Sequence, residues 1–200
     1  DNINFETDDL KTSHTKDENI IQLSKTTKED TKNYQNQSDN DLGAIGDDDE
    51  LIASGLDSIK AVDKNFNPET FIDGATKAFE MVLTAYKTGD KTVLKNLLSK
   101  DVYSRFHQAI KDREISGEVL EDTLVDIKEV NIVEAYVEAH DASLTVKFLS
   151  EQVNATRNEN GDIVDGNPNE IITVTDFWTF SRDTRSKDPN WSLVATRGVA

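Results

Sequence analysis

The chain contains no cysteine, which removes disulfides, thiolate nucleophiles and cysteine-ligated zinc together. Nothing points to an oxidising compartment; cytosol, a bacterial inner-membrane surface and the mitochondrial matrix stay open. Histidine is scarce too. His14, His107 and His140 are scattered without the HExxH spacing, so no structural or hydrolytic zinc site is expected and no metal or other cofactor is implied. Positive charge is in deficit, with 22 basic against 39 acidic side chains and a formal net charge of -17. A field of that sign repels phosphate backbones, and nucleic acid is not an expected partner. No apolar run approaches the roughly 18 residues of a spanning helix. Asp1-Asn2-Ile3-Asn4 resembles neither a secretory signal nor an arginine-rich transit peptide. Gly43 and Gly46 have no preceding strand, so they do not form a phosphate loop and a nucleotide enzyme is not expected.

What is present is divided unevenly. Residues 1–50 hold 14 acids, five lysines and only Phe5 and Tyr34 as aromatics. Such a stretch buries too little apolar surface to offset its ordering entropy, and residues 1–48 read as a flexible acidic leader. Asp47-Asp48-Asp49-Glu50 lacks the spaced ligands and glycine of a calcium loop and reads as a solvated charge run. Residues 49–66 read as an amphipathic helix: Leu51, Ile52, Leu56, Ile59 and Val62 recur at helical spacing. Its acids give it no cationic face for a membrane, so docking on its own domain or on a partner is the better reading.

From residue 67 onward the signals sharpen. Asn67-Pro68-Glu69 reads as N-cap, first-turn proline and first-turn acid. The helix it opens carries an apolar stripe from Phe71 through Phe79 to Tyr86 and ends at Gly89. Asp90 caps a second helix, and Ser99 a third that presents Val102, Tyr103, Phe106 and Ile110 and ends near Gly117. The period then shifts toward two. Val125, Ile127, Val130, Ile132 and Tyr136 form a strand with a slip near Glu129, which predicts a bulge. Leu144, Val146 and Phe148 form the next strand, Ile172 to Phe180 the third, and Trp191, Leu193 and Ala195 the last. Asn160-Gly161 and Asp165-Gly166 predict a long hairpin tip between the second and third strands. Helices followed by strands imply an α+β fold, three helices packed on a curved antiparallel sheet of about four strands.

Several segments of residues 67–200 resemble the Tim44-like domain family. They are Asp101-Val102-Tyr103-Ser104-Arg105-Phe106, Thr175-Asp176-Phe177-Trp178-Thr179-Phe180-Ser181-Arg182-Asp183 and Asp188-Pro189-Asn190-Trp191-Ser192-Leu193-Val194-Ala195-Thr196. Phe148-Leu149-Ser150-Glu151 and the Arg157–Gly161 turn fit the same pattern. The likeness covers about residues 56–200. It implies a cystatin-like roll, related to nuclear transport factor two, and a non-catalytic membrane-associated scaffold or adaptor in protein translocation or membrane-protein biogenesis. The partner implied is a membrane protein or a chaperone, with anionic lipid a weak one for this fragment. The acidic leader and the absence of a transit peptide resemble bacterial members, which implies the cytoplasmic face of a bacterial inner membrane and an anchor upstream of Asp1. The matrix side of the mitochondrial inner membrane is the alternative. Long charged chaperone-binding segments are missing, so import-motor tethering is not carried over.

The candidate pocket or core residues are Phe79, Tyr86, Tyr103, Phe106, Val146, Phe148, Asp176, Trp178, Phe180 and Trp191, arranged around an apolar cup or groove. Asp176 breaks its pattern, falling between Val174 and Trp178 on an apolar face where a bare carboxylate is costly. A catalytic or small-ligand roll with Asp176, Tyr103 and His107 in the cup is the competing reading. The plainer one has Asp176 paired with Arg105, Arg182 or Arg197, or bonded to backbone donors. A ribosome-associated adaptor is a third, disfavoured by the acidic balance. No residue is assigned as catalytic.

Overall fold

A computed structural model describes residues 45–199. The leader expected over residues 1–48 falls outside them except for its last four positions, which open a helix. Four helices come first: α1 (Ile45–Val62), α2 (Pro68–Thr88), α3 (Lys91–Leu97) and α4 (Lys100–Ser116). The strands are β1 (Val119–Leu120), β2 (Thr123–Glu138), β3 (Asp141–Val153), β4 (Ala155–Arg157), β5 (Ile163–Gly166), β6 (Ile172–Asp183) and β7 (Ser192–Val199). The fold is α+β, with α2, α3 and α4 as the three expected helices and α1 preceding them.

The caps explain the helix limits. The Asn67 side chain accepts a hydrogen bond from the Thr70 N–H at 2.9 Å and Pro68 fills the first turn. Gly89 and Gly117 stop α2 and α4 at φ 72° and 64°, a conformation that costs a β-carbon-free residue nothing. Asp90 accepts from Thr92 and Val93, and Ser99 from Val102. α1 begins and ends about four residues earlier than the sequence pattern suggested.

The main sheet has the order β2-β3-β6-β7 and is antiparallel throughout. Three register shifts break the β2–β3 pairing, where the sequence signalled one. They keep Leu124, Ile127, Val130, Ile132, Ala135 and Val137 on the helix-facing side at a spacing of two or three residues. Val125 and Tyr136, expected among the inward residues, are exposed. Between β3 and β6 the chain does not simply turn. β4 and β5 join β1 in a second, three-stranded sheet of order β1-β4-β5, and the expected hairpin tip is part of it.

The core lies between the helices and the main sheet. Phe79, Val82 and Ala85 of α2, Leu94 of α3 and Val102, Phe106 and Ile110 of α4 meet Leu144, Val146, Phe148, Trp178, Phe180 and Leu193. α1 crosses β2, where a β-carbon on Gly55 would collide with the Ala135 main-chain oxygen. Ile59 is fully buried there, Ile52 and Leu56 half-buried. Leu51, at 67% exposure, and Val62, at 50%, face away from the contact.

Candidate functional site

The middle of the roll is filled. Phe79 stacks on Phe148 with ring centroids 4.3 Å apart and planes 13° apart, and Trp178 packs 4.7 Å from Phe79 and 5.9 Å from Phe148. Val146 is buried beside them. Toward the far end of α2, Tyr86 meets Phe106 edge-on at 5.2 Å. Arg113 lies 5.2 Å from the Tyr86 ring centroid and donates to the Tyr86 and Lys87 carbonyls, satisfying acceptors that the helix end leaves open. Tyr103 is half-buried against His107, one turn along α4, with ring centroids 5.7 Å apart.

Asp176 sits on the core face beside this aromatic cluster, opposite Phe148 on β3 and Gly198 on β7. Burial pushes its carboxyl up to about 6, partly offset by a hydrogen bond with Trp178, whose indole N–H can only donate. Of the three arginines considered as its partners, Arg182 pairs with Asp63, Arg197 lies over the Phe177 ring at 4.5 Å, and Arg105 is exposed on α4.

An opening exists at one end of the roll, where α2 begins. This groove, about 590 Å³ in volume, has an aromatic wall of Phe66, Phe71, Phe180 and Trp191 and a floor of small residues on α2, Gly74, Ala75 and Ala78. The wall is one connected cluster: Phe71 lies 4.9 Å from Trp191 and 5.9 Å from Phe180, and Phe66 is 6.0 Å from Trp191. Asn65, Asn67, Thr70 and Asn190 form an uncharged rim. Arg182 also lines the groove. Its guanidinium pairs with Asp63, sits 5.4 Å from the Trp191 centroid and reaches the Pro189 carbonyl at 3.5 Å. Its Nε–H is buried and has no hydrogen-bond partner among the described residues.

A second groove of about 470 Å³ lies at the opposite end of α2, between Lys87, Asp122 and Gln152. Lys87 donates to the Asp122 carbonyl at 2.6 Å. Burial raises the Asp122 carboxyl, while a bond from the Ala155 N–H and the charges of Lys87 and Arg113 counter it.

Of the residues expected around a cup, Phe180 and Trp191 face the open groove. Phe79, Tyr86, Phe106, Val146, Phe148 and Trp178 fill the interior, with Asp176 beside them. Sequence reasoning did not single out Phe66, Gly74, Asp63 or Asn190 as site residues. The available signal was the pairing of Ser181-Arg182 with the Pro189-Asn190-Trp191 turn, which one short connection brings to the same end of the sheet.

Among curated proteins, the chain is 26% identical over 172 residues to the mitochondrial import inner membrane translocase subunit TIM44-1 of Arabidopsis thaliana, covering 82% of this chain and 36% of that protein. It is 23% identical over 142 residues to the subunit TIM44 of Rattus norvegicus, covering 70% of this chain and 31% of the relative. The chain therefore spans about a third of the length of these relatives. The intermembrane-space region of the chloroplast protein ARC6 aligns with 68% of this chain and 98% of that structure at a TM-score of 0.47 and 14% identity. The Tim44-like domain family model matches residues 52–198, from the middle of α1 to the last residues of β7, and the chain belongs to that family.

Proposed function

We propose that the chain is a non-catalytic adaptor at an inner membrane, holding a membrane-protein or chaperone partner in the groove beside Trp191 during protein translocation or membrane-protein biogenesis. Family membership supports this, as do relatives named as subunits of import translocases. The inner membrane is common to those names and to the sequence expectation; the relatives add weight to the mitochondrial side of that expectation. The observation that carries the reading is the contrast between a filled interior and an open end. Aromatic rings occupy the space a substrate would need beside Asp176, whereas the groove presents a half-buried Trp191, backed by the buried rings of Phe66, Phe71 and Phe180, to an incoming surface. Tryptophan and arginine are over-represented among the residues that anchor protein contacts, and Trp191 and Arg182 stand together in this groove.

A photoreactive residue at Asn190, on the rim, tests the proposal in the full-length protein in its own membranes. A cross-link to a defined membrane protein or chaperone, absent when the same group is placed at Asp165 on the second sheet, is expected. Identical cross-links from both positions, or label transferred only to lipid, would remove the groove from the function.

A further inference from the structure

We infer that the groove beside Trp191 takes an uncharged stretch of a partner polypeptide: one apolar side chain seated between Trp191 and Gly74, and a main-chain carbonyl accepting the Arg182 Nε–H. This rests on the adaptor reading and specifies the chemistry of its partner. Three observations carry it.

The first is the floor. Gly74 lies inside α2, where glycine costs about 1 kcal/mol relative to alanine. Nothing among the described residues demands it, because a β-carbon placed there meets none of their atoms within 4 Å. The missing side chain leaves the helix backbone bare to whatever enters, one turn along α2 from the Phe71 ring that packs on Trp191.

The second is charge. The groove's cation is already neutralised, since Arg182 pairs with Asp63 and both line the same wall. An anionic headgroup or side chain brought to Arg182 would meet the Asp63 carboxylate, and a second cation would meet the guanidinium. The rim offers amides and a hydroxyl, which suit neutral hydrogen-bonding groups.

The third is the unmet donor. A buried N–H without a partner costs on the order of 1–3 kcal/mol, recovered when an acceptor arrives. Among the described residues the Arg182 Nε–H is such a donor. The atom itself is covered, but its side chain lines the groove and keeps 14% of its area exposed, so a small shift of the guanidinium presents it to an acceptor. A hydrocarbon chain offers it nothing, whereas a peptide supplies a carbonyl every residue, next to the side chain that the aromatic wall accommodates.

The test uses nuclear magnetic resonance on the full chain, following the Gly74 amide and the Trp191 indole. The probes are an acetylated and amidated hexapeptide with a central phenylalanine-leucine pair between serines and glycines, N-acetylphenylalanine as the matched anion, and phosphatidylcholine vesicles with and without cardiolipin. The hexapeptide is expected to shift both signals. It should bind at least about tenfold more tightly than the anion and lose at least about tenfold in affinity in Gly74→Leu. Because the added side chain enters open space and replaces a helix-weakening glycine, Gly74→Leu should melt no lower than the parent, which separates blocked binding from lost folding. Tighter binding of the anion, or protection of the Gly74 amide by vesicles but not by peptide, would overturn the inference. So would a hexapeptide that shifts neither signal. If the Asn190 cross-link to a membrane protein forms while the hexapeptide fails, the adaptor reading stands and this account of its chemistry falls.

Discussion

Asp176 and Trp178 show how one polar group is accommodated in an aromatic core, and what that costs. The folded protein holds the Asp176 proton more tightly than the unfolded chain does, since burial moves its pKa from 3.8 to about 6. A raised carboxylate favours the folded state where it is protonated. Stability from this group is therefore fully present below the unfolded value, is lost as pH rises between about 4 and about 6, and stays lost above. The shift corresponds to roughly 3 kcal/mol at neutral pH. Asp176→Asn keeps an acceptor for the Trp178 N–H without the charge. It should be more stable than the parent by about 1–3 kcal/mol at pH 7 and equal to it near pH 4, as read by urea denaturation at both values. An equal difference at both pH values would mean that ionisation is not the cause. Trp178→Ala removes a ring packed on Phe79 and Phe148 and should cost about 3–5 kcal/mol. Trp191→Ala, at the half-open groove, should cost clearly less in the same measurement.

At the scale of elements, the helices could be read from the chain because their limits are local. Asn67, Gly89, Asp90, Ser99 and Gly117 each act within four residues. The inner face of β2 was harder to read. Three shifts of register mix periods of two and three, so Val125 and Tyr136 fall in step with inward neighbours while pointing outward. The groove was least legible, since it brings Asp63 to Arg182 across 119 residues and no local pattern encodes that meeting. The docking of α1 follows the same logic. Its apolar stripe is visible in the sequence, but which part of the stripe touches depends on the close approach of Gly55 to Ala135. Gly55→Ala would strengthen an undocked helix by up to about 1 kcal/mol. Docked, the methyl collides with main chain, and overpacking of this kind costs about 1–3 kcal/mol. We expect a lower melting temperature and faster hydrogen exchange in α1 alone. A higher melting temperature would show that α1 does not rest on β2 in solution.

The whole molecule carries a net charge of -17, and among the described residues no helix is long and apolar enough to cross a membrane. Its attraction to an anionic bilayer therefore depends on whether any local surface outweighs the global field. The best basic strip is Lys87, Lys91, Lys95 and Lys100. Two of these are engaged, Lys91 in a surface pair with Glu114 at 3.2 Å and Lys87 by the Asp122 carbonyl. A free surface lysine contributes about 1 kcal/mol near an acidic leaflet, so the remainder of the strip supplies little against so large a repulsion. The exposed apolar residues of α1, Leu51 and Val62, stand among Asp48, Asp49, Glu50 and Asp63, which keeps them from acting as a membrane face. Residues 1–200 should therefore co-sediment with cardiolipin vesicles less than with neutral ones at low salt. The gap should close as salt shortens the screening length from about 30 Å at 0.01 M to about 3 Å at 1 M. Strong binding to the anionic vesicles that salt abolishes would reverse the sign of the argument and place the membrane contact on the lysine strip.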